Sequence, residues 1–213
     1  MKRVGFLGCD STDIVLYVAR LLQAEGKKVR LLDYTEQHML LRVAMIPEEC
    51  LYEENEYRGI SVAAGFQEEG GHSEETAYVL CYFGNQFLPK QFMQCSTWVL
   101  ITDMLPYHAD LFSVLPDSPA EKICIIRNAI SLKYDEQYLI KRMKQIVSKE
   151  QMFLLPYEEK DYKSSCYLGI DYSHKMVGLS YEMKQLLTEL IEWLMERTEH
   201  YTRREFAALL KRA

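Results

Sequence analysis

Lys2–Cys9 reads KRVGFLGC, Asp10–Asp13 reads DSTD, Ile14–Glu25 reads IVLYVARLLQAE and Lys27–Asp33 reads KKVRLLD. The first stretch predicts a short buried strand and the second a turn with capping residues. The third predicts an amphipathic helix that Gly26 stops, and the fourth a second strand ending on a carboxylate. Strand, loop, helix and strand in that order form a βαβ unit, whose right-handed crossover requires a parallel sheet. Ligands of such sheets bind beyond the carboxyl ends of the strands, so the Cys9–Asp13 loop is the first place to look for a site.

The rest of the chain extends the same pattern. Ile60–Ala64 (ISVAA), Tyr78–Phe83 (YVLCYF), Thr97–Thr102 (TWVLIT), Lys122–Arg127 (KICIIR) and Met152–Leu155 (MFLL) read as buried strands. Between them, Glu36–Val43, Phe87–Cys95, Asp110–Leu115 and Asp135–Val147 read as helical. Pro47–Glu56 is acidic and reads as loop, as does the polar Gln67–Glu75. Near-continuous apolar strands separated by helices predict an α/β fold, a mainly parallel sheet covered on both faces. The tail places Met183, Leu186, Leu187, Leu190, Ile191, Leu194 and Met195 on one helical stripe over Tyr181–Arg197, and Thr202 caps a last helix. A helical stripe of this kind is more often core than a docking face. The reading is one domain over 1–213, with 181–213 as its helical extension.

Composition narrows the class. The chain has 213 residues, 48% of them hydrophobic, and a formal net charge of −6, which argues against nucleic acid as the main partner. The six cysteines form no CxxC pair and the five histidines have no ligand spacing, so no metal site is expected. No secretory leader opens the chain and no apolar run reaches the ~18 residues that span a bilayer. The expected compartment is the cytoplasm, with membrane association only through a partner.

Five segments in the same order resemble the ParA/MinD family of phosphate-loop ATPases, the group that includes TadZ-like pilus assembly proteins. Ile14–Asp33 resembles the family's first helix and second strand, and Tyr78–Gly84 (YVLCYFG) its DYVIVDLGG strand. Val99–Leu105 (VLITDML) is similar to VLLVTDPD, Ile125–Asn128 (IIRN) to VLNR, and Leu155–Glu158 (LPYE) to LPYD. The resemblance implies a P-loop NTPase-like sheet and a nucleotide site at Gly8, Ser11, Thr12, Asp33 and Asn128. Thr12 matches the Mg²⁺-binding hydroxyl, and Asn128 the asparagine that meets the base.

The departures fall on the chemistry. Ser11 stands at the lysine position and Tyr82 at the magnesium-associated aspartate position, while Gly8 alone is left of the loop glycines. Asp10 and Asp13 flank the phosphate position, where a like-charge pair costs about 1 kcal/mol in water and several times more in a dry site. No catalytic residue is expected, and no cofactor beyond weak ATP or ADP binding. The implied function is a catalytically inactive relative that assembles or positions a partner complex, such as a pilus or secretion machine. Its partners are proteins, including a second copy across the vestigial nucleotide face, and no DNA. The competing reading is a nucleotide- or dinucleotide-binding enzyme with an atypical loop; Gly5 and Gly8 favour it, but G-x-G-x-x-G is absent.

Each candidate has a plainer reading beside it. Asp10–Asp13 is either an anion loop or a helix N-cap. Asp33 either orients a metal or water, or caps the following turn. Asn128 either touches a base or stabilises a turn. Cys9 invites a nucleophilic role, yet no histidine lies near it in sequence.

Overall fold

The computed structural model describes residues 1–65, 76–130, 135–171 and 175–213. The Gln67–Glu75 loop therefore lies outside the described residues. β1 (Lys2–Gly8) leads into α1 (Thr12–Ala24), β2 (Val29–Asp33) and α2 (Met39–Val43). The hairpin β3 (Asn55–Tyr57) and β4 (Ile60–Ala64) follows, then β5 (Tyr78–Gly84), α3 (Pro89–Phe92) and β6 (Thr97–Thr102). α4 (Pro106–Asp110), β7 (Glu121–Ala129), α5 (Asp135–Met143) and β8 (Met152–Pro156) continue the alternation, and α6 (Glu159–Leu168), α7 (Tyr181–Leu194) and α8 (Arg203–Arg212) end the chain.

The sheet has eight strands in the order β3-β4-β2-β5-β1-β6-β7-β8. Every pairing is parallel except β3 with β4 at the edge. β1 sits in the interior with β5 and β2 on one side and β6 to β8 on the other. The chain leaves its carboxyl end in one direction first and later crosses to the other, and crevices open there in such sheets.

Successive side chains of a strand point to opposite faces, so each central strand feeds two cores. Val4, Phe6, Leu31, Leu80, Val99, Ile101, Ile123 and Ile125 are buried on the face shared with α1, α7 and α8. Cys81, Phe83, Trp98, Leu100, Cys124 and Ile126 are buried on the other, with Phe92 of α3 and Leu139 of α5. The α7 stripe from Met183 to Leu194 is buried against α1, which makes it core. Ser180 caps α7 by accepting from the Met183 N–H at 2.8 Å. Among the described residues no helix is long and apolar enough to cross a membrane.

Three local readings need correction. Pro47–Glu56 is not wholly loop: Glu48–Cys50 forms a 3₁₀ turn, and Asn55 opens β3, joined to β4 through Arg58 and Gly59. Both turn residues have positive φ, 51° and 78°, the geometry that two-residue hairpins favour. The helix expected from Asp110 begins at Pro106, and Leu111–Val114 is a 3₁₀ turn. α6 was not anticipated.

Candidate functional site

The site is built at the carboxyl end of β1. Gly8 has φ +135°, and a Cβ placed there would lie 1.7 Å from the Ile101 carbonyl oxygen. The close approach of β1 and β6 therefore demands a glycine, whatever the loop binds. The Cys9 N–H donates to that same carbonyl at 2.9 Å.

Ser11 occupies the N-cap position of α1, but its side chain makes no capping bond, and its Oγ is buried without a hydrogen-bond partner. The capping is done one residue earlier. Asp10 Oδ1 accepts from the Thr12 N–H at 3.2 Å and the Thr12 hydroxyl at 3.1 Å. Asp13, in the first turn, accepts from the Ile14 N–H at 2.9 Å.

Two side chains from distant strands close over this loop. Arg127, near the end of β7, donates twice to Asp13, Nη1 to Oδ1 and Nη2 to Oδ2, each at 3.0 Å. Its Nη1 also donates to the Asp10 carbonyl. The pair is withdrawn from water, with side-chain exposures of 16% for Arg127 and 5% for Asp13. Burial pulls the guanidinium's pKa down, but the Asp13 carboxylate more than offsets it, leaving the net shift upward. Asp13 thus has a cation of its own, which the sequence reading did not foresee. Tyr82, fully buried at the end of β5, points its hydroxyl towards Asp10 Oδ1 at 3.4 Å. Burial and then Asp10 push its phenol well above the usual range, against the Ser11 backbone N–H. It stays neutral.

Asp33 is fully buried and has four hydrogen bonds. Oδ1 accepts from the Thr35 N–H and hydroxyl at 2.9 and 2.7 Å, and Oδ2 from the Leu40 and Leu41 N–H groups at 2.7 and 3.1 Å. Its carboxylate caps α2. Asn128 is exposed, with φ 55° at the irregular end of β7. It shares a cavity of about 390 Å³ with Cys9, Asp10 and Arg127. Gly8 lines a second cavity of about 490 Å³ that also includes Cys9, with Tyr82, Gly84 and Tyr107. Gly8, Ser11 and Thr12 thus sit together at the loop, while Asp33 is engaged beneath α2.

Residues distant in sequence also meet here. His108 lines both cavities together with Cys9, and its Nδ1 lies 2.8 Å from Asp103 Oδ1. A thiol, an imidazole and an orienting carboxylate share one crevice. The thiol is not primed: burial pushes Cys9 up to about 12, so it is protonated at neutral pH. Among the described residues no three His, Cys, Asp or Glu side chains converge to hold a metal.

The sheet order and the strand–loop–helix at its centre are those of a P-loop NTPase-like fold. No family model and no curated protein matches the sequence. Among solved structures, the MinC:MinD cell division protein complex of Aquifex aeolicus superposes with TM-score 0.65 at 12% identity, over 95% of this chain and 99% of that one. A plasmid partition protein from Borrelia burgdorferi B31 bound to AMPPNP gives 0.62 at 10%, over 92% and 99%. The structure of pNOB8 ParA bound to nonspecific DNA gives 0.58 at 12%, over 92% and 99%. The fold is that of the ParA/MinD ATPases.

Proposed function

We propose that this chain is a ParA/MinD-fold protein that does not hydrolyse ATP and acts by binding a protein partner, assembling or positioning a complex. The observation that carries the reading is the Arg127–Asp13 pair at the N-terminus of α1. Phosphoryl transfer needs cations aimed at the phosphate. The cation here is held bidentately by an internal carboxylate, and a neutral serine stands at the lysine position. Gly8, Ser11, Thr12 and Asn128 are, on this reading, the remains of a nucleotide site, with Asp33 retained as a structural cap.

The MinD relative is seen in a complex with MinC, which supports a protein partner for this chain. A ParA relative is seen on nonspecific DNA; the net charge of −6 favours protein over DNA here. The narrower role we propose is at a pilus or secretion machine, supported by the sequence resemblance to the ParA/MinD group, which includes TadZ-like pilus assembly proteins. Self-association across the former nucleotide face is part of the proposal.

The test is thermal stability with ATP, ADP or NAD, each with and without Mg²⁺, beside a phosphate-release assay. Ligand at a hundred times its dissociation constant would add about 2.7 kcal/mol. No shift and no release are expected. Steady turnover, or saturable stabilisation by any of the three, would overturn the reading.

A further inference from the structure

We propose that the groove between α7 and α8 receives an acidic amphipathic helix from a protein partner. This deepens the proposed function by naming the kind of partner, and it rests on that reading.

The groove follows from how the last two helices sit. Both pack against α1, and between them runs a cavity of about 540 Å³ with Val177 of the 3₁₀ turn Met176–Gly178 on its wall. Helical periodicity accounts for the two long walls. α7 spends Met183, Leu186, Leu187, Leu190, Ile191 and Leu194 on the core. A second stripe of the same helix, Tyr181, Lys184, Gln185 and Thr188, is left along the groove at i, i+3, i+4 and i+7. α8 presents Arg203, Phe206, Ala207, Leu210 and Lys211 with the same spacing. The Thr202–Glu205 capping box holds the first turn of that wall in place. Two helices that each offer a full stripe to the space between them form a seat for a third.

The seat is apolar along its floor. Phe206 and Leu210 are buried there beside Ala207, while Val177 and Tyr181 stand in water at the wall, 44% and 59% exposed. Large apolar side chains beside an apolar floor are what the hydrophobic face of an incoming helix covers.

The charges decide the occupant. Lys184, Arg203 and Lys211 line the groove. Lys184 Nζ donates to the Val177 carbonyl at 2.8 Å, which leaves its charge uncompensated. Among the described residues neither Arg203 nor Lys211 pairs with a carboxylate. Of the two carboxylates on the walls, Glu192 is engaged by His200 Nδ1 at 2.7 Å and by the Tyr201 N–H. Glu189 accepts from the Gln185 amide at 2.9 Å and alone opposes the three cations. The balance is basic on a chain whose net charge is −6, so the groove attracts an acidic surface and repels a basic one. Its cations are also spread out. Arg203 and Lys211 lie in the first and last turns of α8, about 12 Å apart along the axis. That is too far for one compact anion, and it matches carboxylates about eight residues apart on a helix laid alongside.

The experiment titrates the full chain, by fluorescence anisotropy, with a labelled amphipathic helical peptide of leucine and glutamate. A counterpart carries lysine in place of every glutamate. Saturable binding of the glutamate peptide is expected, weakening as salt is raised, with none of the lysine peptide. Arg203→Glu/Lys211→Glu should weaken it at least about tenfold. Ala207→Asp, which puts a carboxylate on the floor, should do likewise, whereas Ala208→Asp, one residue along the same helix and outside the groove, should leave binding unchanged. All four positions are exposed, so the variants keep the fold. No saturable binding, equal binding of the two peptides, or equal loss in Ala207→Asp and Ala208→Asp overturns the site. Binding to phosphatidylglycerol vesicles that the charge reversal abolishes would make a membrane the occupant, and a dimer in sedimentation lost on the same reversal would make it a second copy. Either result overturns the partner helix. Failure here is separable from failure of the proposed function, which is read from the nucleotide titration.

Discussion

Removing Arg127 is the sharpest single perturbation of this molecule. Arg127→Ala leaves Asp13 with 5% of its side chain exposed and no counter-charge, and it also removes the donor to the Asp10 carbonyl. Breaking a buried ion pair by deleting one partner costs about 3–5 kcal/mol, because the surviving charge stays desolvated. For a chain of this size each kcal/mol moves the melting temperature by roughly 2–4 °C, so a fall of roughly 6–20 °C is expected. Asp13→Asn should cost a similar amount, since it strands the guanidinium instead. The double variant Asp13→Asn/Arg127→Met should recover much of the loss, for a buried pair replaced as a unit is often close to neutral. Urea unfolding of these proteins together with Arg127→Met, the single variant that matches the double, closes the cycle. If Arg127→Ala costs less than about 1 kcal/mol, the value of an exposed pair, the guanidinium is solvated and the reasoning fails.

Three further outcomes follow from named contacts. Gly8→Ala places a methyl group against the Ile101 carbonyl at positive φ, so it should cost more than about 3 kcal/mol and appear as lost soluble protein rather than lost binding. Ser180→Ala removes the buried cap of α7 and should lower stability by about 0.5–2 kcal/mol, read from the urea midpoint. Glu54 is raised by partial burial but lowered further by hydrogen bonds from Arg30 and Ser61 and by the Arg30 charge, so its folded pKa lies below the ordinary 4.5. Its contribution is therefore present above pH 4.5 and lost as pH falls through the lower folded value. Glu54→Gln should flatten the acid limb of stability below pH 4.5, and an unchanged limb would count against the pair.

The strands were legible because each central one is an unbroken apolar run with β-branched or aromatic content, which a doubly covered parallel sheet requires. β3 was not, because it is three residues, Asn-Glu-Tyr, of which only Tyr57 is buried. α6 was missed for the same kind of reason. Its buried residues are Asp161, Ser164 and Leu168, so two of the three inward positions are polar and no apolar stripe marks the helix. Of the site, the places of Ser11 at the start of α1 and Tyr82 in β5 were legible, because each adjoins or lies in an apolar run. The Arg127–Asp13 pair was not, because 114 residues separate its members and neither position is unusual locally. One signal was available: a strand that ends on arginine, KICIIR, in a fold whose strand ends converge on a loop with two aspartates.

That pairing also gives a physical account of how the loop after β1 holds its shape through groups of the chain itself. The first turn of a helix presents free N–H groups and a partial positive charge, which an anion satisfies. In this chain the anions are internal. Asp10 takes the Thr12 N–H and Asp13 takes the Ile14 N–H, so two donors of the turn are occupied before any ligand arrives. An added carboxylate at that position brings its own problem, since it is buried beside the Asp10 carboxylate and the Tyr82 phenol. Arg127 resolves it by donating to both Asp13 oxygens and to the Asp10 carbonyl, which ties the end of β7 to the loop after β1. Restoring the lysine alone, as Ser11→Lys, would then place a second cation beside a guanidinium that is already neutralised, at a side chain only 1% exposed. The expected result is loss of stability without gain of ATP binding, checked by the same melting and titration assays. Recovery of nucleotide binding by that single change would mean that the internal pair yields readily to phosphate, and the loop would then have to be read as a working site lacking only its lysine.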